Sequence, residues 1–424
     1  MTASAPCFPV ADSATSLRPA TGSSIVPSNL ARHFLLSDDV VFLNHGSFGA
    51  CPRPVFETYQ AFQRELEAQP VAFLGRELTA RMRTPRETLA PYLGTSPENI
   101  VAVVNATTGL NIVAQSLDLK PGDEILTTDH EYSALEKTWA YVVRRTGARV
   151  VTVEVPMPLV SEAAFTEALL AGMTERTRVL FLSHITSPTA LVFPIERAIA
   201  EARRRNIITV IDGAHAPGHI PLDLDAMGVD YYSGNCHKWL MAPKGSAFLY
   251  ARPQMQGILN PLVVSHGWTS QSKEPGAIGA LGNSPFIDEI EMQGTRDPSA
   301  WLAIPAALAF RKEHDWDAVA RSCMALAQET AARLAERTGL APLSSPEFSA
   351  PQMVAMPIPD CDPVAIHDAL IERYAIEIPV FKWKGQAIAR VSVQGYNSRE
   401  QMDLLIEALA DLLDLARPLS QAMS

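Results

Sequence analysis

The 424-residue chain is 47% hydrophobic and 19% charged, the composition of a globular protein large enough for two domains. Its formal net charge of −11 argues against a nucleic-acid partner, because gripping phosphates takes basic patches that release counterions. Five scattered cysteines (Cys7, Cys51, Cys236, Cys323, Cys361) form no CxxC pair, no window is apolar over a membrane-spanning length, and there is no apolar secretory run. The expectation is a cytoplasmic protein with reduced thiols, with no membrane partner and no metal site.

Residues 1–40, rich in Ser, Ala, Thr and Pro at their start, read as a flexible N-terminal arm. A short strand at 40–43 runs into Asn44-His45-Gly46-Ser47-Phe48-Gly49. Helices are expected at 54–68, opened by Pro52 and Pro54, and at 76–93, bent at Pro85 and stopped at Gly94. Strand and helix then alternate. Strands are expected at 100–104, 124–128, 149–155, 179–182 and 207–211, and helices at 109–118, 132–146, 161–172 and 194–205. Further strands follow at 228–232 and 247–250. This rhythm predicts an α/β fold, a mostly parallel sheet covered on both faces, over a large domain at 41–297. A long helix at 298–314, helices at 316–338, 363–373 and 398–416, and strand-like pieces near 352–357 and 388–393 predict a smaller α+β domain over 298–424. No internal repeat is evident.

The chemistry centres on two segments. The expected strand ending at Ile211 leads into Asp212-Gly213-Ala214-His215, and Ser233-Gly234-Asn235-Cys236-His237-Lys238-Trp239 places a lysine after a Ser/Gly turn. A carboxylate at a buried strand end is costly unless a cation meets it. A pyridinium nitrogen is such a cation, and a lysine able to form a Schiff base is the other requirement for holding pyridoxal 5'-phosphate (PLP). The plain alternative is an ordinary α/β turn with a surface lysine.

Around this pair, Asn105-Ala106-Thr107-Thr108-Gly109 joins a strand to a helix, a place suited to a phosphate or simply to an N-cap. Asp129-His130-Glu131-Tyr132 ends the next strand, where the His130 imidazole can stack on a flat ring or serve structure alone. Ser187 follows another strand and suits a ring oxygen, a substrate carboxylate or a plain Ser-Pro turn. Thr295, after Gly294, is either a phosphate donor reaching across a dimer interface or part of a cap completed by Asp297. Arg390 interrupts a strand of small and apolar residues, so it needs a carboxylate: an internal Asp or Glu, or the α-carboxylate of an amino-acid substrate.

Together these motifs, with Leu43-Asn44-His45-Gly46-Ser47-Phe48-Gly49 and Arg390-Val391-Ser392 followed by Tyr396-Asn397, make the chain resemble the class V aminotransferase family of PLP enzymes. The resemblance runs from about residue 40 to 415 and is nearest to the isopenicillin N epimerase-like subgroup. It implies the fold type I architecture of PLP-dependent transferases. It implies Lys238 as the Schiff-base lysine, Asp212 against the pyridinium nitrogen, His215 near the ring's 3-oxygen and His130 stacked on the face opposite the lysine. Thr107, Thr108, Ser233 and His237 would hold the phosphate, joined by Thr295 of a second subunit in a homodimer. Arg390 would take the substrate carboxylate, with Asn44 and Ser187 beside it. The family's desulfurases carry a cysteine shortly before this arginine, whereas here the loop reads Pro379-Val380-Phe381-Lys382-Trp383-Lys384-Gly385, which argues against persulfide chemistry.

The functional expectation is an epimerase- or racemase-like enzyme acting at Cα of an amino acid or amino-acid-bearing metabolite, with Lys238 and His130 as catalytic groups. The alternatives are a PLP-dependent C–S lyase, an aminotransferase, and a non-catalytic PLP-binding regulator. The last is disfavoured by the acidic charge and by an N-terminal stretch with little room for a helix-turn-helix.

Overall fold

The computed structural model describes residues 28–415 except 271, 272 and 275, so most of the expected N-terminal arm, and Cys7 with it, lies outside the described residues. Twelve strands are present among the described residues: β1 (Val41–Phe42), β2 (Ile100–Val103), β3 (Glu124–Thr128), β4 (Arg149–Val153), β5 (Thr177–Ser183), β6 (Ile208–Asp212), β7 (Tyr231–Asn235), β8 (Ala247–Ala251), β9 (Met353–Pro357), β10 (Ile376–Glu377), β11 (Val380–Trp383) and β12 (Gln386–Ser392). Seven of them form the central sheet in the order β2-β8-β7-β6-β5-β3-β4. The pairings from β7 through β4 are parallel, and β8 runs antiparallel to both β2 and β7.

Successive residues on a strand point to opposite faces, and the core follows that period of two. Ile125, Val179, Phe181, Val210 and Tyr231 pack with the helices Ala106–Ser116, Ser133–Thr146 and Pro285–Glu291. Leu126, Leu180, Leu182, Ile211 and Tyr232 pack on the other side with Leu78–Tyr92, Glu162–Gly172 and Glu196–Arg204. Both faces are therefore dry, which is why these strands read as nearly continuous apolar runs. From β3 the chain goes first to one side (β4) and then crosses back to the other (β5). Such a reversal opens a crevice at the C-terminal strand edge.

The C-terminal region builds a three-stranded antiparallel sheet, β11-β12-β9, with its own core against Trp316–Thr338, Pro363–Tyr374 and Arg399–Leu412. β1 pairs in parallel with β10, so the start of the described chain is woven into this part. Within the expected arm, residues 28–40 are tied down through Phe34, buried against Phe310, Trp316 and Tyr396.

Four expectations shift, the first three for a local reason. The helix expected at 109–118 begins at Ala106, because Asn105 rather than a threonine is its cap. The strand expected at 228–232 is Tyr231–Asn235, carried past the glycine by pairing with β8 along its whole length. The helix expected over 298–314 breaks into Ser299–Leu302 and Ile304–Glu313, since Pro305 has no N–H for the Trp301 carbonyl. The segment before the Leu78–Tyr92 helix is a π-helical stretch, Val71–Glu77.

Candidate active site

A cavity of about 360 Å³ opens at the C-terminal edge of the sheet. Asp212 (end of β6), Ser183 (end of β5), Asn235 (end of β7), Lys238, His237, His215, Thr107, Tyr132 and Ser187 all line it, with Ser47 and Lys244. Residues spread over two hundred positions converge because parallel strands deliver their ends to one edge.

Asp212 is 4% exposed and accepts a hydrogen bond from the Ala214 N–H at 2.9 Å; burial pushes its carboxyl above the ordinary value, and Lys238 pulls it back. Lys238 is driven down to about 7 by burial and by the nearby Arg390 charge, with Asp212 opposing. Its Nζ lies 3.0 Å from Nε2 of His215, and the Trp239 indole N–H reaches His215 Nδ1 at 3.4 Å. An indole N–H can only donate, so Nδ1 accepts and Nε2 carries the ring proton. His215 is thereby a donor toward a neutral lysine amine, consistent with burial holding the imidazole well below its usual range. His45 fixes the lysine from behind: its Nε2 is 3.0 Å from the Lys238 carbonyl, and its Nδ1 meets the Tyr396 hydroxyl.

The phosphate end is built on the N-terminus of Ala106–Ser116. Asn235 takes the Ala106 N–H at 2.8 Å and Asn105 takes that of Thr108. The Thr107 N–H has no protein acceptor among the described residues, and Thr107 lines the cavity. A free first-turn N–H, a hydroxyl, His237 and the cation of Lys244, which meets no carboxylate among the described residues, are what a phosphate needs. Gly49 leaves room beside them: with φ +71°, a Cβ there would sit 1.9 Å from the His237 carbonyl oxygen. The PLP donor set thus fits this cavity, from phosphate to ring nitrogen.

Arg390 is 5% exposed, yet no Asp or Glu among the described residues pairs with it, whereas buried Arg86 and Arg311 meet Glu291 and Asp317. Its guanidinium donates to the Ser187 carbonyl and hydroxyl and to Ser47 Oγ at 3.1 Å, and its Nε has no partner. Burial lowers it to about 10, so it remains a cation at neutral pH. No internal Asp or Glu of the described chain serves as the carboxylate partner of this arginine. Asn44 stands one step back: it accepts from the Ser47 hydroxyl at 2.5 Å and donates to Glu377.

Several expected ligands take other posts. Thr108 spends its hydroxyl on Asn105 within the cap. Ser233, inside β7 rather than on a turn, is fully buried and donates to the Phe248 carbonyl beneath Gly109. Thr295, expected at a second subunit's site and not at its own, lines a separate cavity of about 580 Å³ with Val71, Met82 and Arg296. His130 is fully buried, its Nδ1 2.7 Å from Thr189 Oγ1 and its ring packed on Trp383 and Phe193; burial lowers it to about 4. The aromatic side chain that lines the cavity from this segment is Tyr132, whose hydroxyl has no hydrogen-bond partner among the described residues. Tyr132 and Lys244 escaped the sequence reading; the aromatic two residues past His130 and the lysine six past Lys238 were the available signals.

The Aminotransferase class-V family profile matches residues 41–405. The chain is 38% identical to the isopenicillin N epimerase of Amycolatopsis lactamdurans over 91% of this chain and 98% of that protein. It is 28% identical to the probable chloroplastic L-cysteine desulfhydrase of Arabidopsis thaliana, over 92% and 86%. The crystal structure of the Escherichia coli cysteine desulfurase CsdA superposes with a TM-score of 0.74 at 25% identity, over 91% of this chain and 98% of that one. No helix among the described residues is long and apolar enough to cross a membrane, and no cluster suited to a metal ion occurs among them. The chain belongs to the class V aminotransferase family, as a PLP-dependent enzyme of fold type I.

Proposed function

We propose that this enzyme moves the proton at Cα of an amino acid or amino-acid-bearing metabolite and inverts that centre, as an epimerase or racemase. One observation carries the reading: two proton-carrying groups, the Lys238 amine and the Tyr132 hydroxyl, line the cavity from different strands, together with Ser47 and Ser187, which hold the buried Arg390 that meets no carboxylate among the described residues. β7 and β3, which deliver them, are separated in the sheet by β6 and β5. Inversion needs a base on one side of Cα and an acid on the other.

Bound PLP supplies the electron sink that lets a bond at Cα break. Asp212 holds a negative charge for the ring nitrogen, His215 offers its Nε2 proton to the ring oxygen, and Thr107, His237 and Lys244 hold the phosphate. Arg390, steadied by Ser47 and Ser187, orients the substrate carboxylate. Lys238, lowered to about 7, is neutral often enough at pH 7 to accept the Cα proton, and Tyr132 returns one from the other side. In this reading Tyr132 takes the catalytic post expected of His130. A homodimer is part of the reading: Thr295 lies outside the Lys238 cavity, in a second one that exposed Val71 also lines, so it would serve the partner's site.

The second reading, a C–S lyase, draws on the desulfhydrase relative. Incubation with L- and D-amino acids in deuterated water separates the two. Inversion with deuterium at Cα and no keto acid supports the proposal; keto acid and ammonia without inversion refute it. Tyr132→Phe should keep exchange from one enantiomer and lose interconversion. For the dimer, mixing inactive Lys238→Ala and Thr295→Ala subunits should restore part of the activity.

A further inference from the structure

Glu131 is a buried ionisable group that the proposed mechanism leaves idle. It follows β3 and is 6% exposed, with Thr128 Oγ1 donating to Oε1 at 2.7 Å and Ser183 Oγ donating to Oε2 at 2.6 Å. Ser183 is the cross-strand partner of Asp212 at the ends of β5 and β6, and both line the cavity. No lysine, arginine or histidine pairs with Glu131 among the described residues. Its neighbour Asp129 is engaged by Lys384, and His130 is held neutral by burial. Asp212 is the charged group that acts on it, and it repels.

Two carboxyls in one dry region raise each other's pKa, so the one with less to favour its charge keeps its proton more readily. The environments say which. Asp212 has a backbone N–H and the Lys238 amine to favour its charge, and gains the ring nitrogen when cofactor binds, whereas Glu131 has two hydroxyls and the Ser183 backbone N–H but no cation among the described residues. Burial first, then Asp212, raises Glu131 to about 8. A protonated Glu131 donates to one of the two hydroxyls; when that is Ser183, the serine proton is released toward the cavity.

We propose that Glu131 and Asp212 form a two-carboxyl pair holding one negative charge, with Glu131 the positioning residue whose proton keeps that charge on Asp212, facing the cofactor's ring nitrogen. This rests on the assignment of Asp212 to that nitrogen. Ionising Glu131 would add a second charge about two strand spacings away, ~10 Å. At an effective dielectric near 20 that moves a neighbouring pKa by on the order of 1 unit toward the protonated cofactor.

The test is the pH titration of the visible absorbance of cofactor-loaded enzyme. Wild type is expected to show a spectral step through about pH 8, and Glu131→Gln, compared at equal cofactor occupancy, to lack it. A step retained in Glu131→Gln overturns the inference. Should that variant not fold, infrared spectroscopy of the wild-type holoenzyme decides. A protonated-carboxyl band that vanishes on raising pH through the same range supports the pair, and its absence refutes it. Asp212→Asn separates the two layers. If it leaves the spectrum unchanged, the Asp212 assignment fails and the pair with it; if it shifts the spectrum while Glu131→Gln does not, only the pair fails.

Discussion

Replacing Arg390 by methionine tests whether this guanidinium is maintained for a ligand rather than for the fold. Burial takes the group from 12.5 to about 10, which at about 1.4 kcal/mol per pH unit is a penalty on the order of 3 kcal/mol on the buried charge. Its three hydrogen bonds to Ser187 and Ser47 return about 1 kcal/mol each, which roughly cancels that penalty, and no carboxylate of the described chain adds to them. Methionine keeps the stem's packing, so Arg390→Met should change unfolding free energy by less than about 1 kcal/mol or raise it slightly. Turnover should respond very differently. Two charge-assisted bonds to a carboxylate are together worth about 3–4 kcal/mol, so kcat/KM for an amino acid should fall by about 10² to 10³. The assay is urea unfolding of the cofactor-loaded protein beside kinetics on an amino acid and its decarboxylated amine. A variant destabilised by more than about 2 kcal/mol that still prefers the amino acid over the amine as strongly as wild type would refute the reasoning.

Lys238→Ala should abolish the visible absorbance of bound cofactor along with turnover; full turnover in that variant would remove the lysine from the mechanism. Because Lys238 sits at about 7 and acts as the neutral amine, the rate should rise with pH up to that value, about tenfold per unit at the acidic end, and then level; a flat profile from pH 5 to 9 contradicts it. Gly49→Ala should lose more than about 2 kcal/mol of stability or fail to retain cofactor, since its Cβ would overlap the His237 carbonyl at a positive φ, and thermal melts with absorbance ratios report both.

The sequence exposed the site's chemistry best where one residue's environment follows from its own strand. Asp212 ends an apolar strand and Lys238 follows the next one over, so period and spacing sufficed. Ligands whose role depends on a turn's path were harder. After β3 the Asp129 side chain takes the Val155 N–H and Trp383 covers His130, and only the folded path shows that Tyr132 comes forward. Thr108 and Ser233 carry the right hydroxyls, but an N-cap and a strand carbonyl claim them first. The pairing of Arg390 could not be read at all, because absence of a carboxylate is a property of the packed protein.

The loop before Arg390 lacks cysteine and forms a tight hairpin: β11 and β12 are joined through Lys384 and Gly385 alone, at φ +48° and +84°. Such a turn suits the twist of the flanking strands. Lys384 pairs with Asp129 and Glu154 at the tip, and the Trp383 indole N–H reaches the Asp129 carbonyl while its ring covers His130. The hairpin therefore clamps the segment that carries Glu131 and Tyr132. A clamped wall suits a reaction in which only a proton moves, since the acid must hold one distance from Cα through both directions of inversion. Trp383→Ala should thus lower interconversion more than single-enantiomer Cα exchange, leaving cofactor affinity unchanged. An equal fall in both rates would show that the hairpin does not position the acid.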